Sequence, residues 1–205
     1  MERKTLCIAT RNTHKVAEMA EVLAPWWNVK SSIDYPELEE IEETGDTFLA
    51  NATLKATITS ATIPDYVLAD DSGLEADALD GAPGVFSARY GGIPSSTEKN
   101  NAKLLEELNR VGAVTPQQRS ARYRCVLALA RNGEMIQSFD GVCEGTIAMA
   151  AKGTGGFGYD PLFIPQGYAR TFGQLGAKTK ANLSHRALAL KAFIAWCKAN
   201  PIPEE

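Results

Sequence analysis

The chain has 205 residues, is 44% hydrophobic and 22% charged, and carries a formal net charge of -4. These values suit a globular protein with a real core, built as one large domain or a domain with a second lobe. They argue against a general nucleic-acid binder, since Lys and Arg are scattered, and no apolar run nears the ~20 residues that span a bilayer.

The opening "MERKTLCIAT" is charged and lacks the apolar centre of a signal peptide. "TLCIAT" (5–10) predicts a buried strand. "RNTHK" then leads into an amphipathic helix with Val16, Met19, Ala20 and Leu23 on one face, ended by Pro25. "NVKSSI" predicts a second strand and "EIEETGD" an acidic turn. An Ala-rich helix over 47–61 follows, with Asp46 as N-cap. "YVLA" predicts a short third strand that stops at two adjacent carboxylates, Asp70 and Asp71. Alternating strands and helices imply a parallel or mixed sheet with helices on its faces.

"GAPGVFSARYGGIPSS" (81–96) predicts a Gly/Pro loop, and "TEKNNAKLLEELNRV" a helix with Leu104, Leu105, Leu108 and Val111 on one side. "GAVTPQQRSA" has the composition of a surface connector. "RYRCVLALAR" and "MIQSFDGVCEGTIAMA" predict two strands joined by a hairpin turn at Asn132-Gly133. "SHRALALKAFIAWCKA" (184–199) predicts a closing helix. Cys7, Cys125, Cys143 and Cys197 are far apart, with no CxxC, as expected of reduced thiols in a cytosolic protein. With His14 and His185 alone, a His-rich metal site is excluded.

Local rules break in three places. Cations are disfavoured at helix N-termini, yet His14 and Lys15 begin the first helix and His185 and Arg186 the last. Solvated surface charge would explain either alone; both together suggest anion sites. Lys55 shares a helix face with Asn51, so Lys15, Lys55, Lys180 and Arg186 form a candidate polyphosphate-binding set. "EIEETGD" and "ADDSG" bring acids to the ends of neighbouring strands, an oxygen-donor set suited to Mg²⁺ and able to take a proton from water. Asp, Ser and Gly equally favour turns and caps. "GTGGFGYDPLF" (153–163) contains G-x-G-x-x-G, but Pro161 follows where a dinucleotide motif needs a helix. It suits a glycine-rich loop that lets backbone approach a ligand, with Phe157 offering a ring face. G-x-S-x-G, H-E-x-x-H and Walker A sequences are absent, which argues against the chemistries they serve.

Five segments together resemble the inosine triphosphate pyrophosphatases, or XTP/dITP diphosphatases: "ATRNTHK" (9–15), "EETGDTFLANATLKA" (42–56), "LADDSGLEADALDGAPGVFSARY" (68–90), "GTGGFGYDPLF" (153–163) and "KANLSHRALAL" (180–190). The resemblance implies an α/β fold, an elongated central mixed β-sheet flanked by helices, in two lobes with an active-site cleft between them. The expected lobes are roughly 1–80 plus 150–205, and 81–149, within one domain. It implies a homodimer that uses Mg²⁺ and takes small-molecule purine nucleoside triphosphates, with no membrane or nucleic-acid partner.

By the same resemblance, Thr10, Arg11, Asn12, Thr13, His14 and Lys15 grip the triphosphate with Lys55 nearby. Asp71 is the metal-associated general base, with Asp70 and Ser72 beside it. Glu42, or its neighbour Glu43, is a metal ligand. Phe157, Gly158, Tyr159 and Asp160 line the base pocket, and Lys180, His185 and Arg186 contact the substrate and read the purine 6-oxo group. The sequence departs from the family pattern at Ala50, where an acid often stands, and at Arg11, which replaces a small residue. Lys180 rather than Lys178 holds the family's spacing to His185. The implied reaction is hydrolysis of ITP, dITP and XTP to monophosphate and pyrophosphate. The alternatives are a phosphatase or pyrophosphatase of the same fold on another nucleotide, and a non-catalytic nucleotide-binding module.

Overall fold

The computed structural model describes residues 3–200. Strand β1 (Thr5–Ile8) is followed by helix α1 (Thr13–Leu23), β2 (Asn28–Ser31), α2 (Phe48–Thr62) and β3 (Tyr66–Ala76). Then come α3 (Thr97–Arg110), β4 (Ser120–Arg131), β5 (Glu134–Ile147), β6 (Phe163–Pro165), α4 (Ala177–Leu183) and α5 (His185–Ala199). The six strands form one sheet in the order β2-β1-β3-β4-β5-β6. β1 is parallel to both β2 and β3, while β5 and β6 are antiparallel, so the sheet is mixed. The expected α/β class with a mixed, helix-flanked sheet is therefore what forms.

Internal contacts divide the chain into two compact units. One comprises residues up to Asp71, Cys125–Gly141 and residues from Leu188; the other comprises Ser72–Arg124 and Val142–Ala187. Residues 150–187 thus pack within the second unit, whereas the sequence division placed them with the N-terminal segment. In the first unit Leu6, Ile8 and Leu68 pack with Met19 and Leu23 of α1 and Phe193 of α5. In the second, Leu74, Leu104, Leu108, Tyr123, Phe163 and Phe172 form the core. Leu104 and Leu108 are fully buried one helical turn apart, each contributing roughly 1.5–3 kcal/mol.

Three local expectations are revised. β3 does not stop at Asp70: it runs on through Ser72, Gly73 and Leu74 to Ala76, so "DDSG" is strand rather than turn. The cap of α2 is Thr47, whose side chain accepts from Ala50 N, and Asp46 stays outside. The supposed surface connector holds a fully buried Arg119, whose guanidinium donates to Ala113 O, Ala148 O and Asn109 Oδ1 at 2.7, 2.9 and 2.5 Å. The hairpin turn forms as expected, with Asn132 at φ 53° and Gly133 at φ 81°, the pair of left-handed residues a two-residue type I′ turn requires.

Candidate active site

The first group of site residues lies in the first unit. β1 pairs with β3 as far as Ile8↔Leu68, and the chain of β3 then presents Asp70 and Asp71 just past the carboxyl ends of parallel strands. That is where α/β folds place ligands. Adjacent strand residues point to opposite faces, so the two buried carboxylates diverge although they are neighbours. Asp70 Oδ1 accepts from Lys15 Nζ, and Asp70 Oδ2 receives the Cys125 thiol at 3.1 Å. Asp71 Oδ1 stands 3.8 Å from Lys55 Nζ. The same ammonium bonds Glu43 Oε1 and donates to the Asp70 carbonyl at 2.7 Å.

Burial pushes the Asp71 carboxyl up to about 6, and the nearby Glu43 charge adds to this; Lys55, Lys15 and the Asn51 side chain pull the other way. Asn51 also accepts from Gly45 N at 2.7 Å, fastening the acidic loop to α2. A side chain at position 45 would meet Asn51 Oδ1 at 2.7 Å and the Ala50 methyl at 2.8 Å. The loop can approach only as glycine. Ala50 faces that contact.

The acid that joins Asp71 is Glu43. Of the two candidate metal ligands, Glu42 is exposed, whereas Glu43 is half-buried against Lys55. Thr10 Oγ1 accepts from Asn12 N, and Asn12 caps α1 by accepting from His14 N and Lys15 N at 3.0 and 3.2 Å. Thr13 and His14 are exposed beside them. Arg11 is exposed, but its guanidinium donates to Leu38 O at 2.6 Å, which ties it to the loop before α2.

The oxygens of Glu43, Asp70 and Asp71 are hard donors of the kind Mg²⁺ takes, and Lys55 already holds a positive charge between Glu43 and Asp71. Among the described residues no three His, Cys, Asp or Glu side chains close into a metal cage.

The second group lies in the second unit. Asp160, 1% exposed, accepts from Phe157 N–H at 2.8 Å and from Lys180 Nζ at 2.7 Å through Oδ2. Lys180 Nζ also lies 4.3 Å from the Phe157 ring centroid, a cation over a π face. Arg186 stands 5.8 Å from the same ring and donates to Ser72 Oγ at 2.9 Å. His185 and Arg186, at the start of α5, are 4% and 1% exposed. Buried donors of this kind serve a ligand's polar atoms or a structural partner; they are not the solvated charge a surface helix end would carry.

Lys178 is exposed and Lys180 buried. Gly158 O accepts from Asn101 Nδ2 at 3.2 Å. Tyr159 is turned into the core, where its hydroxyl donates to Ser87 O at 2.8 Å, so its side chain supports the loop.

Sequence reasoning missed two buried residues that hold these acids: Cys125 against Asp70, and Tyr123, whose hydroxyl is 3.3 Å from Asp160 Oδ1. The signal was present in "ARYRC", where buried Ala121, Tyr123 and Cys125 alternate with the half-buried Arg122 and Arg124.

A family model described as the Ham1 family matches residues 6–196. The chain is 47% identical over 194 residues to the dITP/XTP pyrophosphatase of Halalkalibacterium halodurans, an alignment covering 94% of this chain and 98% of that protein. It is 48% identical over 187 residues to the dITP/XTP pyrophosphatase of Desulforamulus reducens, with 91% and 92% covered. The structure of a HAM1 protein from Coxiella burnetii matches with a TM-score of 0.87 at 36% identity, over 96% of this chain and 99% of that one. The Staphylococcus aureus Ham1 protein matches with a TM-score of 0.84 at the same identity and coverage.

Proposed function

The chain belongs to the Ham1 family, and from that premise we propose that it is a pyrophosphatase of noncanonical purine nucleoside triphosphates. It cuts XTP, dITP and ITP to the monophosphate and pyrophosphate, and so clears deaminated purines from the cytoplasmic nucleotide pool. The observation that carries this reading is Asp71: a buried carboxylate beside two lysines, with its pKa raised to about 6. A base poised near neutrality is what activation of water calls for.

The reaction is a hydrolysis at the α-phosphorus. Asp71 accepts a proton from water as the water oxygen bonds to phosphorus. The bond from the α-phosphorus to the bridging oxygen breaks, and pyrophosphate leaves with that oxygen. Lys15 and Lys55 neutralise phosphate charge, and most of the rate comes from positioning and charge stabilisation. Mg²⁺ would be held by Glu43 and Asp71 together with phosphate oxygens, and when bound it would stabilise the charge that builds on the leaving group.

Phe157 offers its face to the purine. His185 and Arg186 supply donors that suit a 6-oxo group. An adenine 6-amino group would leave those buried donors unpaired, a penalty of about 1–3 kcal/mol. The enzyme acts as a homodimer in this reading, which light scattering tests.

The deciding experiment measures phosphorus products from XTP, dITP, ITP, GTP and ATP, with Mg²⁺ and with chelator. Mg²⁺-dependent pyrophosphate release from the first three supports the reading. Orthophosphate would point to a phosphatase instead, and tight binding without turnover to a binding module.

A further inference from the structure

Tyr123 lies in the core of the second unit, 7% exposed, on the inward face of β4. Its ring is parallel to the His185 imidazole: centroids are 4.6 Å apart and the planes differ by 9°. Its hydroxyl lies 3.3 Å from Asp160 Oδ1, the oxygen not used by Phe157 N–H and Lys180. The tyrosine is itself wedged against Phe163 at 4.7 Å and Phe172 at 6.3 Å. One fixed side chain therefore touches both the histidine and the acid of the group assigned to the purine.

This matters because a histidine ring rotates about a soft terminal torsion, and where its N–H points decides what it reads. A flat ring stacked on it favours one plane. The Asp160 carboxylate needs a similar anchor, because it orients both Lys180 and the Phe157 backbone. Burial, with the Asp160 charge adding to it, drives the Tyr123 pKa far above its usual value, so the phenol keeps its proton and remains a donor.

We propose that Tyr123 is a positioning residue for base selection: its ring is the platform for His185 and its hydroxyl the anchor for Asp160. It acts without touching the nucleotide. The inference rests on the reading of this group as the purine site.

The test uses the full chain as wild type, Tyr123→Phe and Tyr123→Leu, comparing kcat and KM on XTP and ATP with thermal midpoints and the NMR resonances of the His185 ring protons. Tyr123→Phe keeps the stack and loses the donor, and KM for XTP rises about threefold. Tyr123→Leu loses both; KM rises about tenfold with kcat nearly unchanged, and the preference for XTP over ATP falls by a similar factor. Loss of the ring current moves the His185 protons downfield in Tyr123→Leu and leaves them in place in Tyr123→Phe.

Wild-type KM and preference in both variants, or a fall in thermal midpoint alone, overturns the proposal. Should Tyr123→Leu fail to fold, Tyr123→Phe decides by itself, and an unchanged KM there overturns it. A wild type that hydrolyses neither triphosphate removes the proposed function and this inference with it. An active wild type with unaffected variants removes the inference alone.

Discussion

Asp71 and Lys55 stand 3.8 Å apart where little water reaches, and burial of the acid outweighs the attraction of the ammonium. A lone surface pair at that distance would hold the carboxyl low. Here the proton binds more tightly than in an unfolded chain, which is the property a base needs.

The sign of the pH effect follows. Asp71 goes from its ordinary value of 3.8 to about 6 on folding. Between those values the folded protein holds a proton that the unfolded chain releases, so this group's contribution favours folding at low pH and is lost as pH rises through about 6. Above that it costs up to about 3 kcal/mol, at ~1.4 kcal/mol per pH unit. In chelator at pH 8, Asp71→Asn is expected to be more stable than wild type in urea denaturation, and the gap should close towards pH 4. Its turnover falls by orders of magnitude, and the fall of wild-type kcat/KM below about pH 6 is absent from the variant's profile.

Gly156 is the sharpest steric constraint in the second group. An added methyl would stand 1.9 Å from Asp160 Oδ2, at φ +74°. Gly158→Ala meets only the left-handed backbone penalty, about 1–2 kcal/mol, because nothing lies within 4 Å of its added carbon. Gly156→Ala is expected to cost clearly more in thermal stability and to raise KM. Equal losses in the two variants would refute the view that Asp160 occupies that space.

Phe157 carries Lys180 on one side of its ring. Phe157→Ala removes a stacking face worth about 1–3 kcal/mol per base. Titration with XMP should show roughly tenfold weaker binding, with the Asp71 pH limb unmoved. Unchanged affinity would take the ring out of the base pocket.

Cys125 is the least conspicuous part of the first group. Its thiol meets Asp70 Oδ2 at 3.1 Å in full burial. Cys125→Ser keeps a donor in that place and Cys125→Ala does not. Kcat is expected to fall more in the alanine variant, by about five- to tenfold for one lost hydrogen bond. Steady-state rates of the two side by side decide it.

Much of this was legible beforehand, and the exceptions have physical causes. The helix starts at His14 and His185 were visible because cations there contradict the helix dipole. "DDSG" misled because Asp, Ser and Gly carry turn propensity. In place, the segment is part of a strand lying between β1 and β4 in the sheet, and sheet pairing overrides a weak local preference. Glu42 and Glu43 could not be separated by composition, since a one-residue shift in an irregular loop decides which carboxylate meets Lys55. Tyr123 and Cys125 could be placed on one strand face from alternation alone. That Asp160 and Asp70 lie across from them is tertiary information.

Lys15 and Lys55 give the first group its own counter-ions. Its acids are therefore not a bare cluster of like charges waiting for salt. A polyphosphate must compete with Asp70, Asp71 and Glu43 for ammonium groups that are already engaged, so its capture is an exchange of partners. A long anionic chain can win that exchange at several points together, but a single phosphate wins few of them. Under the proposed function, the same lysines would loosen their hold once a triphosphate has been cut, and return to their acids as the products depart.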